Sequence, residues 1–134
     1  MSKAAACLFL AILILTGFKE PRKAAQTKTY YAYVTATEWD KKLDVPSDNG
    51  YVNITTNIVA FECNIGASAV ELRFMAYYKA REETYNRQLI TSFPIGAWVY
   101  SSVDAAYASR KDWLSKSTAR YKRIIPNFTI TCKQ

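Results

Sequence analysis

A chain of 134 residues, half of them hydrophobic and 14% aromatic, has material for one modest core and little for a second domain. Its formal net charge is +7 and it contains no histidine, which excludes Ser-His and Cys-His nucleophilic triads and histidine-based metal sites. Its four glycines, Gly17, Gly50, Gly66 and Gly96, are isolated, so no glycine-rich phosphate cradle is present, and neither a cofactor nor a metal is expected.

From Ala4 to Phe18 runs an uncharged, mostly apolar stretch preceded by Lys3, the pattern of a signal peptide. A membrane span needs roughly 20 apolar residues, and here Lys19, Glu20, Arg22 and Lys23 follow at once; an uncleaved membrane anchor is the alternative reading. Residues 1–25 are therefore assigned to leader and linker, without a fixed cleavage site, and 26–134 to one domain. Cys7 would leave with the leader. That leaves Cys63 and Cys132 as an even pair in an exported chain, where a disulfide is the natural state. On the loop-entropy model, closing so long a loop stabilises the fold by about 4 kcal/mol.

The spacing predicts a first strand over Thr29–Thr37, where Tyr31, Tyr33 and Thr35 alternate with Ala32, Val34 and Ala36. Glu38 to Gly50 reads as a loop, because Pro46 and Asp48-Asn49-Gly50 are turn chemistry, and Tyr51–Cys63 reads as a second, antiparallel strand. Residues 69–83 fit a strand or a helix. Ser68 with Glu71 has capping-box spacing, and Val70, Phe74, Tyr77 and Arg81 share a helical face, so a helix is expected.

Tyr85–Phe93 with Ala97–Tyr100 reads as a third strand interrupted at Pro94, Ile95 and Gly96. Ser101 or Ser102 then caps a second helix from Val103, with a core face of Val103, Ala106, Tyr107, the Arg110 stem and Leu114. Tyr121–Cys132 closes the chain as a last strand with Pro126 at an edge or bulge. The expected fold is α+β, a two-layer sandwich in the order β-β-α-β-α-β: about four strands in an antiparallel or mixed sheet, with two helices on one face.

Charge is unevenly spread. Residues 1–25 carry four basic and one acidic residue (+3), 26–109 seven and nine (−2), and 110–134 seven and one (+6), which sum to +7. The last third thus offers a cationic patch with an aromatic inside it: Arg110, Lys111, Trp113, Lys116, Arg120, Lys122 and Arg123. The expected role is a non-enzymatic, secreted or periplasmic binding domain whose partner is an anionic envelope polymer, a glycan or another protein. It would meet the membrane only through its leader.

Two alternatives belong to other classes. The acids Glu38, Asp40, Asp44 and Asp48 fall within one loop and are the candidates for a carboxylate-dependent hydrolase. A calcium loop fits them poorly, since counting from Asp44 puts Pro46 at the third position and Gly50 one place late. A chain that stayed in the cytoplasm would instead be a nucleic-acid binder, with Tyr107, Trp113 and Tyr121 as stacking groups among the cations. The tyrosines and tryptophans also offer contact area, but only those on a sheet face not covered by helices are free to use it.

Overall fold

The computed structural model describes Gln26 to Lys133; the expected leader, its cleavage region and Cys7 lie outside the described residues. The sheet is built around one long strand, β1 (Tyr30–Val45). It pairs antiparallel with β2 (Asp48–Thr56), β3 (Val59–Phe61), β4 (Arg87–Leu89) and β5 (Gly96–Tyr100). Tyr31 and Ala32 pair with both β3 and β5, Thr35 with both β2 and β5, and Glu38 and Trp39 with both β2 and β4. A strand has only two edges, so β2 and β3 lie along one edge of β1 and β4 and β5 along the other. β6 (Lys122–Ile125) joins the far side of β2 in parallel.

The α+β class with a mixed sheet is as expected, but the count is corrected to six strands and three helices among the described residues. The expected second strand is broken at Asn57-Ile58, where the Asn57 side chain turns aside to bond the Phe128 backbone in both directions (3.1 and 3.0 Å). The third is broken by residues 90–95, around Pro94, into β4 and β5. The loop expected from Glu38 to Gly50 is instead the far half of a long hairpin that reverses at Pro46-Ser47. Gly50, at φ +72°, permits the return: a Cβ there would meet the Trp39 indole nitrogen at 2.9 Å. The last strand stops at Ile125, before Pro126, and residues 126–132 run on as a strap.

Residues 69–83 are largely helical. Helix α1 (Ala67–Lys79) buries Val70, Phe74 and Tyr78 at helical spacing, and the four-residue α2 (Glu82–Tyr85) follows it. The Ser68–Glu71 capping box does not form; Gly66 stands at the N-cap, and Glu71 instead accepts a hydrogen bond from the Ala97 backbone N–H on β5 (3.2 Å). Helix α3 (Val103–Lys116) begins where expected, with the Ser102 hydroxyl accepting from the Ala105 N–H (3.2 Å).

The expected placement of both helices on one face is overturned by the alternation along β1. Its even-numbered residues Ala32, Val34 and Ala36 join Val52, Ile54, Val59, Phe61, Leu89 and Ile125 in the apolar core, closed by Val70, Phe74 and Tyr78 of α1 and by Phe128 and Ile130 of the strap. The odd-numbered residues point the other way, where the Tyr33 hydroxyl shares a hydrogen bond with Ser109 of α3 (2.7 Å). The sheet is thus sandwiched, with α1 and the strap on one face and α3 on the other. The Cys63–Cys132 disulfide (Cα–Cα 5.5 Å) fixes the end of the strap beside β3, as the cysteine count suggested.

Candidate functional site

The acidic segment divides along the strand. Glu38 and Asp40 are two apart on β1, so both face α1, and both are buried. Arg123 of β6 reaches across to donate to Glu38 and, at 2.8 Å, to Asp40. Arg87 of β4 lies 3.4 Å from Asp40 and 3.9 Å from Glu38. Tyr78 of α1 donates its hydroxyl to the other oxygen of Glu38. Two carboxylates and two guanidiniums close a neutral, hydrogen-bonded cluster at the polar end of the core, the arrangement a buried charge requires. Burial pushes the Tyr78 phenol well above its ordinary pKa, and desolvation lowers that of Arg123. Of the four acids that could serve a hydrolase, these two are held by arginine, while Asp44 is exposed and Asp48 lines a surface depression.

The opposite face is open over part of its area. α3 covers Tyr33 and Tyr100, whose hydroxyls both meet Ser109, and Arg110 reaches past them to donate to the Thr56 carbonyl (2.9 Å). Only Ala106 of the helix is buried. Val103 and Tyr107, expected in its core face, are exposed, because the helix docks through Ala106, Ser109, Arg110 and Trp113 against tyrosines and backbone rather than against an apolar layer. Thr55, beneath this layer, keeps a buried hydroxyl without a partner among the described residues.

Beyond α3 the face carries aromatic and amide side chains. Trp39 and Tyr51 are register partners, Tyr51 meets Phe93 edge-on (centroids 5.4 Å), and Trp98 leans on the Thr35 hydroxyl. Tyr51, Phe93 and Trp98 are each more than 40% exposed, too much for core packing. Asn53 is the centre of this region. It donates to Ser117 (3.0 Å), accepts from Thr37 (3.4 Å), and sits in register with Lys122.

Two depressions meet at Asn53. One, of about 690 Å³, is lined by the hairpin turn (Pro46, Ser47, Asp48, Asn49), Tyr51, Asn53, Ala119 and Arg120. The other, of about 310 Å³, is lined by Asn53, Trp113, Lys116, Ser117 and Thr118. The two share Asn53, with Tyr51 in one lining and Trp113 in the other, and are together called the groove.

The residues expected to form a cationic patch separate on folding. Arg123 belongs to the buried cluster and Arg110 to the α3–sheet contact. Trp113, Lys116 and Arg120 line the groove, and Lys122 stands beside Asn53. Lys111 is exposed on α3. The cations at the groove hold local partners: Lys116 bonds Asp112 (2.8 Å), Lys122 donates to the Leu114 carbonyl (2.8 Å), and Arg120 bonds Asp48 (3.1 Å). The sequence does not mark Tyr51 or Asn53 for this site, and offers Asp48 only as a turn residue and a hydrolase acid, because the parallel pairing of β2 with β6 is what brings them beside residues 113–122, far along the chain.

No protein-family model matches the chain, and no curated protein and no solved structure is significantly similar to it. Among the described residues no cluster of metal-ligating side chains occurs, and no helix is long and apolar enough to cross a membrane.

Proposed function

We propose that this protein is an exported, non-enzymatic binding domain that holds an anionic chain molecule of the cell envelope or extracellular space in the groove centred on Asn53. One observation carries the reading: two adjoining depressions that share Asn53 bring together aromatic surface (Tyr51, Trp113), amides (Asn49, Asn53) and cations (Lys116, Arg120, with Lys122 adjacent). Aromatic faces take the apolar side of a flat ring, amides take hydroxyls, and cations take acid groups. The disulfide supports an oxidising destination, as does the leader-like N-terminus.

Of the acids a hydrolase could use, Glu38 and Asp40 are buried against Arg87 and Arg123, whereas Asp44 is exposed and Asp48 lines the groove paired with Arg120. The test is calorimetric titration with soluble anionic and neutral polysaccharides, at low and high salt. Saturable binding to the anionic polymer, weakened by salt and by replacing Lys116, Arg120 and Lys122 together with Gln, is the expected result. Binding unchanged in that triple variant, or none at all, would overturn the proposal. Arg123 is left in place in this variant because it neutralises Glu38.

A further inference from the structure

Among the described residues that line the larger depression, Arg120 alone carries a positive charge, and it does not stand free. Its guanidinium bonds Asp48 Oδ2 at 3.1 Å across the groove and lies 5.4 Å from the Tyr121 ring. The two partners are unequal: the Arg120 side chain is 69% exposed, whereas that of Asp48 is 10% exposed. Asp48 is fixed from the other side as well, because its Oδ1 accepts the Gly50 N–H (3.3 Å) as part of the hairpin turn. A held carboxylate therefore meets a solvent-exposed guanidinium at the edge of a cavity. On the arginine's side the pair is open to solvent and screened by it, so another carboxylate arriving from solvent can compete for the guanidinium.

We infer that Asp48 is a built-in competitor, occupying the arginine that receives the ligand's acid group, and that the ligand is a carboxylated saccharide of the uronic acid type. This rests on the proposed function and names its ligand. The internal occupant is itself a carboxylate, which fits a carboxylate in its place. Tyr51, 41% exposed and within the same depression, offers the face for a sugar ring, and Ser47, Asn49 and Asn53 offer donors and acceptors for ring hydroxyls. When the ligand arrives, Arg120 leaves Asp48 for it, and Asp48 stays with the hairpin. No covalent step is involved. The device favours acidic sugar units over neutral ones, since a neutral chain gives Arg120 nothing to exchange for.

The experiment uses the full chain and four probes: oligogalacturonate, polyphosphate, dextran sulfate and neutral dextran, each titrated into wild type, Asp48→Asn and Arg120→Gln. Asp48→Asn keeps the Oδ1 that accepts the Gly50 N–H and removes only the charge facing Arg120. It should tighten oligogalacturonate binding about two- to fivefold, the size of an exposed ion pair. Arg120→Gln should weaken it about tenfold. Circular dichroism and unfolding midpoints of both variants should match wild type. If wild type binds oligogalacturonate but neither substitution changes the affinity, the competitor is overturned and the groove reading stands. Polyphosphate or dextran sulfate binding as tightly as oligogalacturonate would overturn the carboxylate assignment, and no binding to any anionic probe would overturn both the inference and the function beneath it.

Discussion

The two faces of the sheet are built from alternate residues of the same strands and differ in nearly every physical respect. The α1 face is sealed: its side chains are aliphatic or aromatic, and where charges enter, at Glu38 and Asp40, they are matched by Arg87 and Arg123. The α3 face is layered through hydroxyls and amides, leaves Tyr51, Phe93 and Trp98 partly exposed, and opens into a groove. A small domain has surface for one good core. Here the α1 side supplies it, and the α3 side is only partly covered.

That contrast predicts a sensitive face and a tolerant one. The largest loss is expected on removing the disulfide that ties the strap over α1: a Cys63→Ser, Cys132→Ser double variant should lose about 2–4 kcal/mol in denaturant unfolding. Arg123→Gln should follow at about 3 kcal/mol, because it leaves Glu38 and Asp40 buried with half their counter-charge. If Arg123→Gln were silent, the cluster would not be part of the sealed face.

The third prediction concerns pH. Burial holds the Tyr78 phenol protonated well above 10.0, the ordinary tyrosine value, so the unfolded chain loses that proton first. Its contribution is therefore complete below about pH 10 and declines as pH rises above it. Urea midpoints measured from pH 8 to 11 should fall along this limb, and Tyr78→Phe should flatten it.

On the open face the effects should be small. Thr55→Val removes the buried, unpartnered hydroxyl at nearly constant shape and should be neutral or stabilising by up to about 1 kcal/mol. A loss instead would mean that the hydroxyl has a partner under α3. Tyr51→Ala should change stability by about 0.5 kcal/mol or less while weakening saccharide binding, which separates contact surface from core.

Local chemistry was legible in the sequence and long-range pairing was not. Alternation announced the first half of β1 and Ser102 the start of α3, because each signal lies within a few residues, and the even cysteine count announced the disulfide. The far half of the hairpin was misread as loop. Pro46 and Asp48-Asn49-Gly50 mark the turn and its return but not where the strand before it ends, and the reason Asp40 is tolerated in that strand, Arg123, lies 83 residues away. The opposite placement of the helices was hidden for a related reason. α3 docks by Ala106, Ser109 and Arg110; of these the expected core face held Ala106 and the Arg110 stem but not Ser109, and it counted Val103 and Tyr107, which are exposed. The groove combines a hairpin turn with the segment after α3, and Arg110 and Arg123, equal to Arg120 in the sequence, are taken up by the fold.

The most direct test of the open-face account is an amide chemical-shift titration of the isotope-labelled protein with oligogalacturonate. The account predicts shifts concentrated at Ser47–Asn53 and Trp113–Lys122, with α1 and the strap from Asn127 to Cys132 unmoved. Shifts centred on α1 or the strap would contradict it.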